Sequence, residues 1–447
     1  MKKTIILYSF LLVAVMIPFS LQCCFAQPQT PEFLWTNRMQ VNDVAVSKDG
    51  NYIAAVNDTG LYYFASSSSV PIWWCEPSAD YPVISVVISS NGEYVAFGTD
   101  NVGYICYFRN SRSRVNLQNP TWSSQPFPDA VTRGTFDMSD NGDYVAVGGS
   151  GESIYYFADC MTRSGSGQTS TWSNLLSGLI NSVDLSSDGR YVALGGMRIA
   201  GGGFVAFYKN AFSSPYPTEP LWWSEDVWDV ALDVALSDDG FAVTAVTSSS
   251  SLHYWKNAAT LSGNPSANWD YGVPLYRVDA STNGDRIVAF SGQIGSLYFW
   301  ANSRQRIDGT RDWIRLESET VYDAAISDDG SIIAAVTGNA SGYWAYFYAY
   351  DGNLLGNAFQ LDALSDKISM SADGTTVAVG GAPKSPDSLY VFETESTVTP
   401  LPVGGEIQPS NTLELIVHHV QLVAPYLLAS MLAVATLITV LARTRQR

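Results

Sequence analysis

A catalytic reading of this chain meets its first obstacle at histidine. The 447 residues include three: His253, His418 and His419. Proton transfer near neutral pH and activation of a serine or cysteine nucleophile most often use an imidazole. His253 lies in an aromatic run and reads as a packed strand residue, while His418 and His419 border an apolar segment. Glu225-Asp226 and Glu317/Glu319 have the composition of glycosidase carboxylate pairs, but in a chain with 42 acidic residues they read as surface groups. Asp238-Asp239 and Asp328-Asp329 invite a calcium reading, yet calcium needs several oxygens converging from alternating positions. Two carboxylates at one hairpin tip serve turn chemistry instead. No metal, cofactor or catalytic set is expected.

Binding chemistry has better candidates. Asp43, Asp233, Arg277, Asp323 and Lys367 recur at one place in a repeated unit, four residues ahead of a serine. Arg198 and Lys384 stand in loops of variable composition, and variable loops on a rigid frame are where recognition concentrates. Asn57-Asp58-Thr59 and Asn339-Ala340-Ser341 are sequons, so Asn57 and Asn339 are candidate N-glycosylation sites in an exported domain.

The unit that positions these residues occurs eight times. Its serines are Ser47, Ser89, Ser139, Ser186, Ser237, Ser281, Ser327 and Ser371, each followed three residues later by glycine. Neighbouring glycines lie 42 to 51 residues apart, the period of a propeller blade. Apolar residues three before and one before each serine alternate with period two, which buries one face of a strand. Asp-Gly or Asn-Gly then turns the chain, and a β-branched residue three past the glycine opens a second strand. A third strand is aromatic, as in Tyr155-Tyr156-Phe157. A fourth carries tryptophan, read here as Trp35, Trp74, Trp122, Trp172, Trp223, Trp269 and Trp313, with Phe359 in the eighth copy.

Four strands in each of eight repeats predict an all-β, eight-bladed β-propeller. Trp35 precedes the first hairpin and the last repeat stops near Phe392. One blade is therefore expected to take its outer strand from residues 33–37 and its inner three from 367–392, which joins the chain ends and removes free edges. Seven blades and a stray hairpin form the alternative.

The formal net charge is −18. An acidic surface repels nucleic-acid phosphates, so a nucleic-acid partner is excluded. Residues 1–26 combine two lysines, an apolar stretch and a small-residue end, the pattern of a signal peptide. Cleavage there would leave Cys75, Cys106 and Cys160, an odd set whose pairing sequence does not decide. The domain then covers 27–393 and a Thr/Pro/Gly-rich stalk 394–414. A transmembrane helix at 415–442 lacks any Asp, Glu, Lys or Arg beyond Glu414. Arg443, Arg445 and Arg447 place the tail 443–447 in the cytoplasm, with the propeller outside the plasma membrane.

Ser-x-Asp-Gly-x-Tyr-Val-Ala-Val/Leu-Gly, as at Ser186 to Gly195, resembles the WD-repeat-like and quinoprotein-type propellers of prokaryotic envelopes. The resemblance spans roughly residues 33–393 and implies the fold. The Trp-Asp dipeptide of true WD repeats, the quinoprotein docking repeat and its vicinal cysteine pair are missing from the mature chain, so none of those families' functional residues carries over. The leading expectation is a membrane-anchored binding scaffold for an extracytoplasmic protein or ligand. The alternatives are an envelope enzyme, either a quinone-dependent oxidoreductase or a glycan-active protein, and a structural surface-layer component.

Overall fold

In the computed structural model, residues 30–394 are described, apart from 78–80, 101–102, 128–130, 150–151, 226, 228, 249–250, 293–294, 316–318, 363 and 382–388. The serine phrase acts as a hairpin lock. Ser47 Oγ donates to Asp49 Oδ1 at 2.6 Å and accepts the Tyr52 amide at 3.0 Å. Ser186 repeats this with Asp188 and Tyr191, both at 2.9 Å. A short hydroxyl and carboxylate thus satisfy the turn's own amides. The eight glycines that close the turns have φ between 66° and 76°, a region costly for residues with a Cβ.

These hairpins build eight sheets. Blade 1 runs Asp43–Val46, Tyr52–Asn57, Gly60–Ala65 and Trp73–Cys75 from the axis outward; blades 2 to 7 repeat the order, their innermost strands being Val83–Ile88, Val131–Met138, Gly178–Leu185, Ala231–Leu236, Arg277–Ala280 and Thr320–Ile326. Blade 8 has Lys367–Met370, Thr376–Gly380 and Leu389–Glu393, and its outer strand is Glu32–Asn37. Trp35 pairs with Val391 and Asn37 with Leu389. The ring closes through the two chain ends as expected, and the seven-bladed alternative is set aside.

Aromatic residues fill the outer half of each blade and tie it to the next. Tyr63 stacks on Trp73, Tyr107 on Trp122 and Tyr156 on Trp172, each with centroids 5.1 Å apart. The indoles donate forward to the next blade: Trp73 to the Ser111 carbonyl at 2.7 Å, Trp172 to Ala211 at 2.8 Å and Trp222 to Ala258 at 2.9 Å. The tyrosines do the same at the hairpins, with Tyr63 Oη donating to the Gly92 carbonyl at 2.7 Å and Tyr156 Oη to Gly189 at 2.7 Å. Buried rings thus contribute apolar area while their polar tips stay paired. Outer edges are covered too. Asn116–Leu117 adds a parallel strand outside blade 1, and Gly165–Gln168 does so outside blade 2, which blunts edge-to-edge association.

One expectation is corrected and one open question is settled. In the tryptophan pairs the repeat position belongs to Trp73 and Trp222, which are fully buried, and not to Trp74 and Trp223. Alternation along the strand turns the second member of each pair to the other face. Cys75, Cys106 and Cys160 are all free thiols. Burial pushes Cys75 up to about 11 and the other two higher, so none is poised as a nucleophile.

Blade 8 sends the chain out on the hairpin side. Its third strand ends at Glu393, opposite Glu32. Thr394 then donates its amide to the Thr375 carbonyl at 2.7 Å and its hydroxyl to the Gly374 carbonyl, both in the last hairpin turn. The signal segment 1–26, the stalk beyond residue 394, the segment 415–442 and the tail 443–447 lie outside the described residues. Among the described residues no helix is long and apolar enough to cross a membrane.

Candidate binding face and central channel

Eight inner strands side by side make a channel, and period two sends every second side chain into it. Two tiers follow from that register, and the turn after the strand adds a third. The residues four before each serine form the tier nearest the face that carries the second-to-third strand loops. The residues two before form the middle tier, and the residue after each serine forms the tier at the hairpin face.

The carboxylates of the first two tiers hold the ring together. Asp43 Oδ2 accepts Ser85 Oγ at 2.9 Å and the Val86 amide at 3.0 Å. Asp233 takes the Val278 amide at 3.1 Å and Ser182 Oγ at 2.7 Å, and Asp323 takes the Ile368 amide at 3.1 Å. In the middle tier Asp137 accepts from Leu185 at 2.7 Å, Asp184 from Leu236 at 2.6 Å and Asp279 from Ile326 at 3.0 Å. Ser369 Oγ, in the same position of blade 8, accepts the Val46 amide at 3.0 Å. Each bond runs from one blade's inner strand to the inner strand of the next. Burial pushes Asp137 up to about 6 and Asp279 up to about 7, and burial together with the nearby Asp137 charge holds Asp184 well above the usual carboxylate range.

The hairpin-face tier is laced by main chain. The Ser90 amide bonds the Asp140 carbonyl, Asp140 bonds Ser187, Asp238 bonds Thr282, Thr282 bonds Asp328, Asp328 bonds Ala372 and Ala372 bonds Lys48, at 2.8 to 3.0 Å. The Asp238 carboxylate takes the Ser187 amide at 2.9 Å, and Asp49 reaches the Ser90 carbonyl at 3.0 Å, completing the circle. Lys48 Nζ lies 2.9 Å from Asp140, 3.5 Å from Asp328 and 4.0 Å from Asp238. Carboxylates from blades 3, 5 and 7 all reach one atom, which places the ammonium near the axis. Burial works against its charge, but these three aspartates outweigh it and hold Lys48 above the usual lysine range.

The opposite mouth carries a second cation. Arg277 Nη1 reaches across from blade 6 to 3.6 Å from where a Cβ on Gly134 of blade 3 would stand. Burial disfavours its charge, and Asp233, Asp323 and Asp43 reverse that balance. Among the described residues its guanidinium makes no hydrogen bond and no ion pair. Beside this mouth a cavity of about 330 Å³ opens between blades 5, 6 and 7, lined by Leu232, Pro274, Leu275, Tyr276, Val321 and Tyr322, with Ser248, Ser291 and Thr320 as its hydroxyls. Tyr276 is 55% exposed.

The sequence candidates therefore separate. Asp43, Asp233, Arg277 and Asp323 meet in one tier. Lys367 is in that tier but buried, its Nζ turned to the Asp366 carbonyl at 2.8 Å and to the Asp366 carboxylate. Arg198 stands apart in a polar cleft of about 360 Å³, paired with Glu225 at 3.0 Å. Lys384 lies outside the described residues, as do Asp226 and Glu317. Glu319 accepts Tyr346 Oη at 2.9 Å and Thr337 Oγ1 at 2.5 Å. His253 stacks on Trp255 with centroids 5.8 Å apart. Asp238 and Asp239 diverge: the first faces Lys48, and the second takes Ser237 Oγ at 2.8 Å and pairs with Arg304 at 2.8 Å. Asn57 is half-buried and Asn339 exposed, each closing a second-to-third strand turn.

Sequence reasoning stopped at the first tier. The middle tier was legible by stepping two residues along the same register, while the Lys48 tier stands beyond the strand, in the turn that follows it. The cavity was not, because its walls come from three blades.

No protein family profile matches the chain, and no curated protein matches it in sequence. Solved structures do match in shape. The C-terminal WD40 domain of Sif2 aligns with a TM-score of 0.61 at 10% identity, over 82% of this chain and 99% of that domain. BamB from Moraxella catarrhalis aligns at 0.57 and 13% identity, over 81% of this chain and 99% of BamB. At these identities the likeness shows the fold alone, a β-propeller.

Proposed function

We propose that the chain is a membrane-anchored extracytoplasmic binding scaffold that offers the face opposite its hairpins to a partner. The supporting observation is the separation of roles between the two faces. Residues 32 and 393 sit opposite each other, and Thr394 is bonded into the last hairpin. An anchor at 415–442, with a stalk 394–414 leading to it and a signal peptide at 1–26 directing export, would be tied to the hairpin side. The cavity, Tyr276 and Arg277 lie on the other. The hairpin turns are bonded to one another around the ring, mostly by main chain, whereas the opposite face carries the cavity. The propeller likeness to WD40 and BamB structures supports a scaffold and assigns no chemistry.

A photo-crosslinking residue placed at Tyr276 or at Asp188, in full-length protein in native membranes, tests the reading. Cross-links from position 276 and none from 188 are expected, together with loss of the propeller when protease is added to intact cells. Cross-links from 188 alone, or a protected propeller, would overturn it.

A further inference from the structure

The cavity between blades 5, 6 and 7 asks for an apolar occupant. Its walls are Leu232, Pro274, Leu275 and Val321, with the rings of Tyr276 and Tyr322. At about 330 Å³ it stands at the small end of ligand pockets, a size for one anchoring group and not for an extended molecule. Its surroundings ask for positive charge. Asp229 accepts Ser248 Oγ, a hydroxyl that lines the cavity, at 2.7 Å. Glu319 immediately precedes the lining Thr320, and its two oxygens accept Tyr346 Oη and Thr337 Oγ1. Towards the axis Asp43, Asp233 and Asp323 outnumber Arg277, and Lys367 is turned to Asp366. These carboxylates stand outside the cavity and on different sides of it. Asp229 belongs to the loop that enters blade 5, Glu319 to the loop that enters blade 7, and the other three to the channel mouth. Positive charge that answers all of them must be spread along a chain that continues beyond the anchor.

We infer that this cavity seats one apolar side chain from a basic segment of a protein partner, whose flanking lysines or arginines lie over Asp229, Glu319 and the channel mouth. The inference rests on the scaffold reading above and names the partner of that same face. Binding energy between proteins concentrates in anchors that fill pockets, and complementary charge around them steers the approach. Tyr276, 55% exposed, offers an aromatic surface at the rim. An acidic segment or an anionic head group meets repulsion from the same carboxylates. Gly292 offers a probe. It lines the cavity, and a Cβ there would meet only the Val321 carbonyl oxygen, at 3.8 Å, so Gly292→Phe puts a ring into the site. Tyr276→Ala, at an exposed position, is the second probe.

The test uses full-length protein in a nonionic detergent. A phage library of random dodecapeptides is selected against it at roughly 0.15 M salt, where long-range attraction between exposed charges is screened. Enriched sequences are expected to carry one Leu, Ile, Phe or Trp flanked by Lys or Arg. A synthetic peptide of an enriched sequence, titrated by calorimetry, should bind about tenfold or more weakly to Gly292→Phe and to Tyr276→Ala. It should also bind less to Asp229→Asn and at higher salt, and equally well to Asp188→Asn. Should Gly292→Phe lower the melting temperature, Tyr276→Ala decides. No enrichment, enriched sequences that are acidic or lack an apolar anchor, salt-independent binding, or binding that survives the cavity changes overturns the inference. If cross-links from position 276 persist in that event, the scaffold reading stands with a partner of other chemistry. Cross-links confined to position 188 would sink the scaffold reading instead.

Discussion

Trp35 Nε1 donates to the Ser66 carbonyl at 2.6 Å, so a residue of the first strand clamps blade 8 to blade 1. It occupies the place that Trp73 holds toward Ser111 one blade further on. The ring therefore closes with the same bond that joins its interior blades. The two tryptophans differ in burial: Trp73 is inaccessible, while Trp35 is half-buried.

That difference sets the first prediction. Trp73→Ala should cost about 3–5 kcal/mol, as expected for a buried aromatic truncated in a packed core. Trp35→Ala should cost less, about 2–3 kcal/mol, since less area is lost. Denaturant unfolding of the full-length protein in detergent measures both. Equal costs would mean that closure carries more of the stability than burial allows.

A hairpin glycine and a loop glycine, both at positive φ, separate backbone strain from crowding. Gly142 has φ 76°, and a Cβ there would fall 2.4 Å from the Tyr94 ring; Gly263 has φ 69° with open space around it. Gly263→Ala should cost about 1 kcal/mol through conformation alone. Gly142→Ala should cost about 2–4 kcal/mol, because the clash adds to the strain. A smaller loss at Gly142 would show that the blades slide apart easily.

The middle tier gives stability an acid-side bias. Asp137 and Asp279 have folded-state values of about 6 and about 7, above those of an unfolded chain. The folded state then binds more protons, so stability falls as pH rises from about 4 through about 7. Asp279→Asn should flatten that slope by on the order of 1–3 kcal/mol across the window, a value lowered from the full shift because the carboxyl borders the channel. Thermal melts of both proteins at matched pH test it, and parallel slopes would refute it.

Lys48 predicts the opposite pattern. Without the ammonium, Asp140, Asp238 and Asp328 face one another uncompensated. Lys48→Met should cost about 1–3 kcal/mol at pH 7 for a partly exposed cluster. The loss should shrink on acidification, as Asp140 and Asp238, both raised by burial, take up protons. A penalty independent of pH would show that the lysine acts through packing.

Much of this architecture was legible from local residue chemistry. Ser47, Asp49 and Gly50 encode their turn with their own side chains and φ, so the hairpin needs no distant partner. Eight copies at blade spacing settle the repeat, and the orphan strand at Trp35 announces the closure. Other features belong to the ring alone. Trp73 and Trp74 are equivalent in sequence, and only the face each turns to the neighbouring sheet decides which is core. Arg277 and Lys48 belong to different blades, and their aspartate partners come from blades far apart in sequence, so their proximity exists only after closure. The cavity beside Tyr276 is likewise a gap between three blades. Sequence by itself determined the turns, the strand faces and the blade count, because these depend on interactions within a few residues. The tertiary structure alone decided what meets on the axis and at the open face, because closure brings together residues that have no contact along the chain.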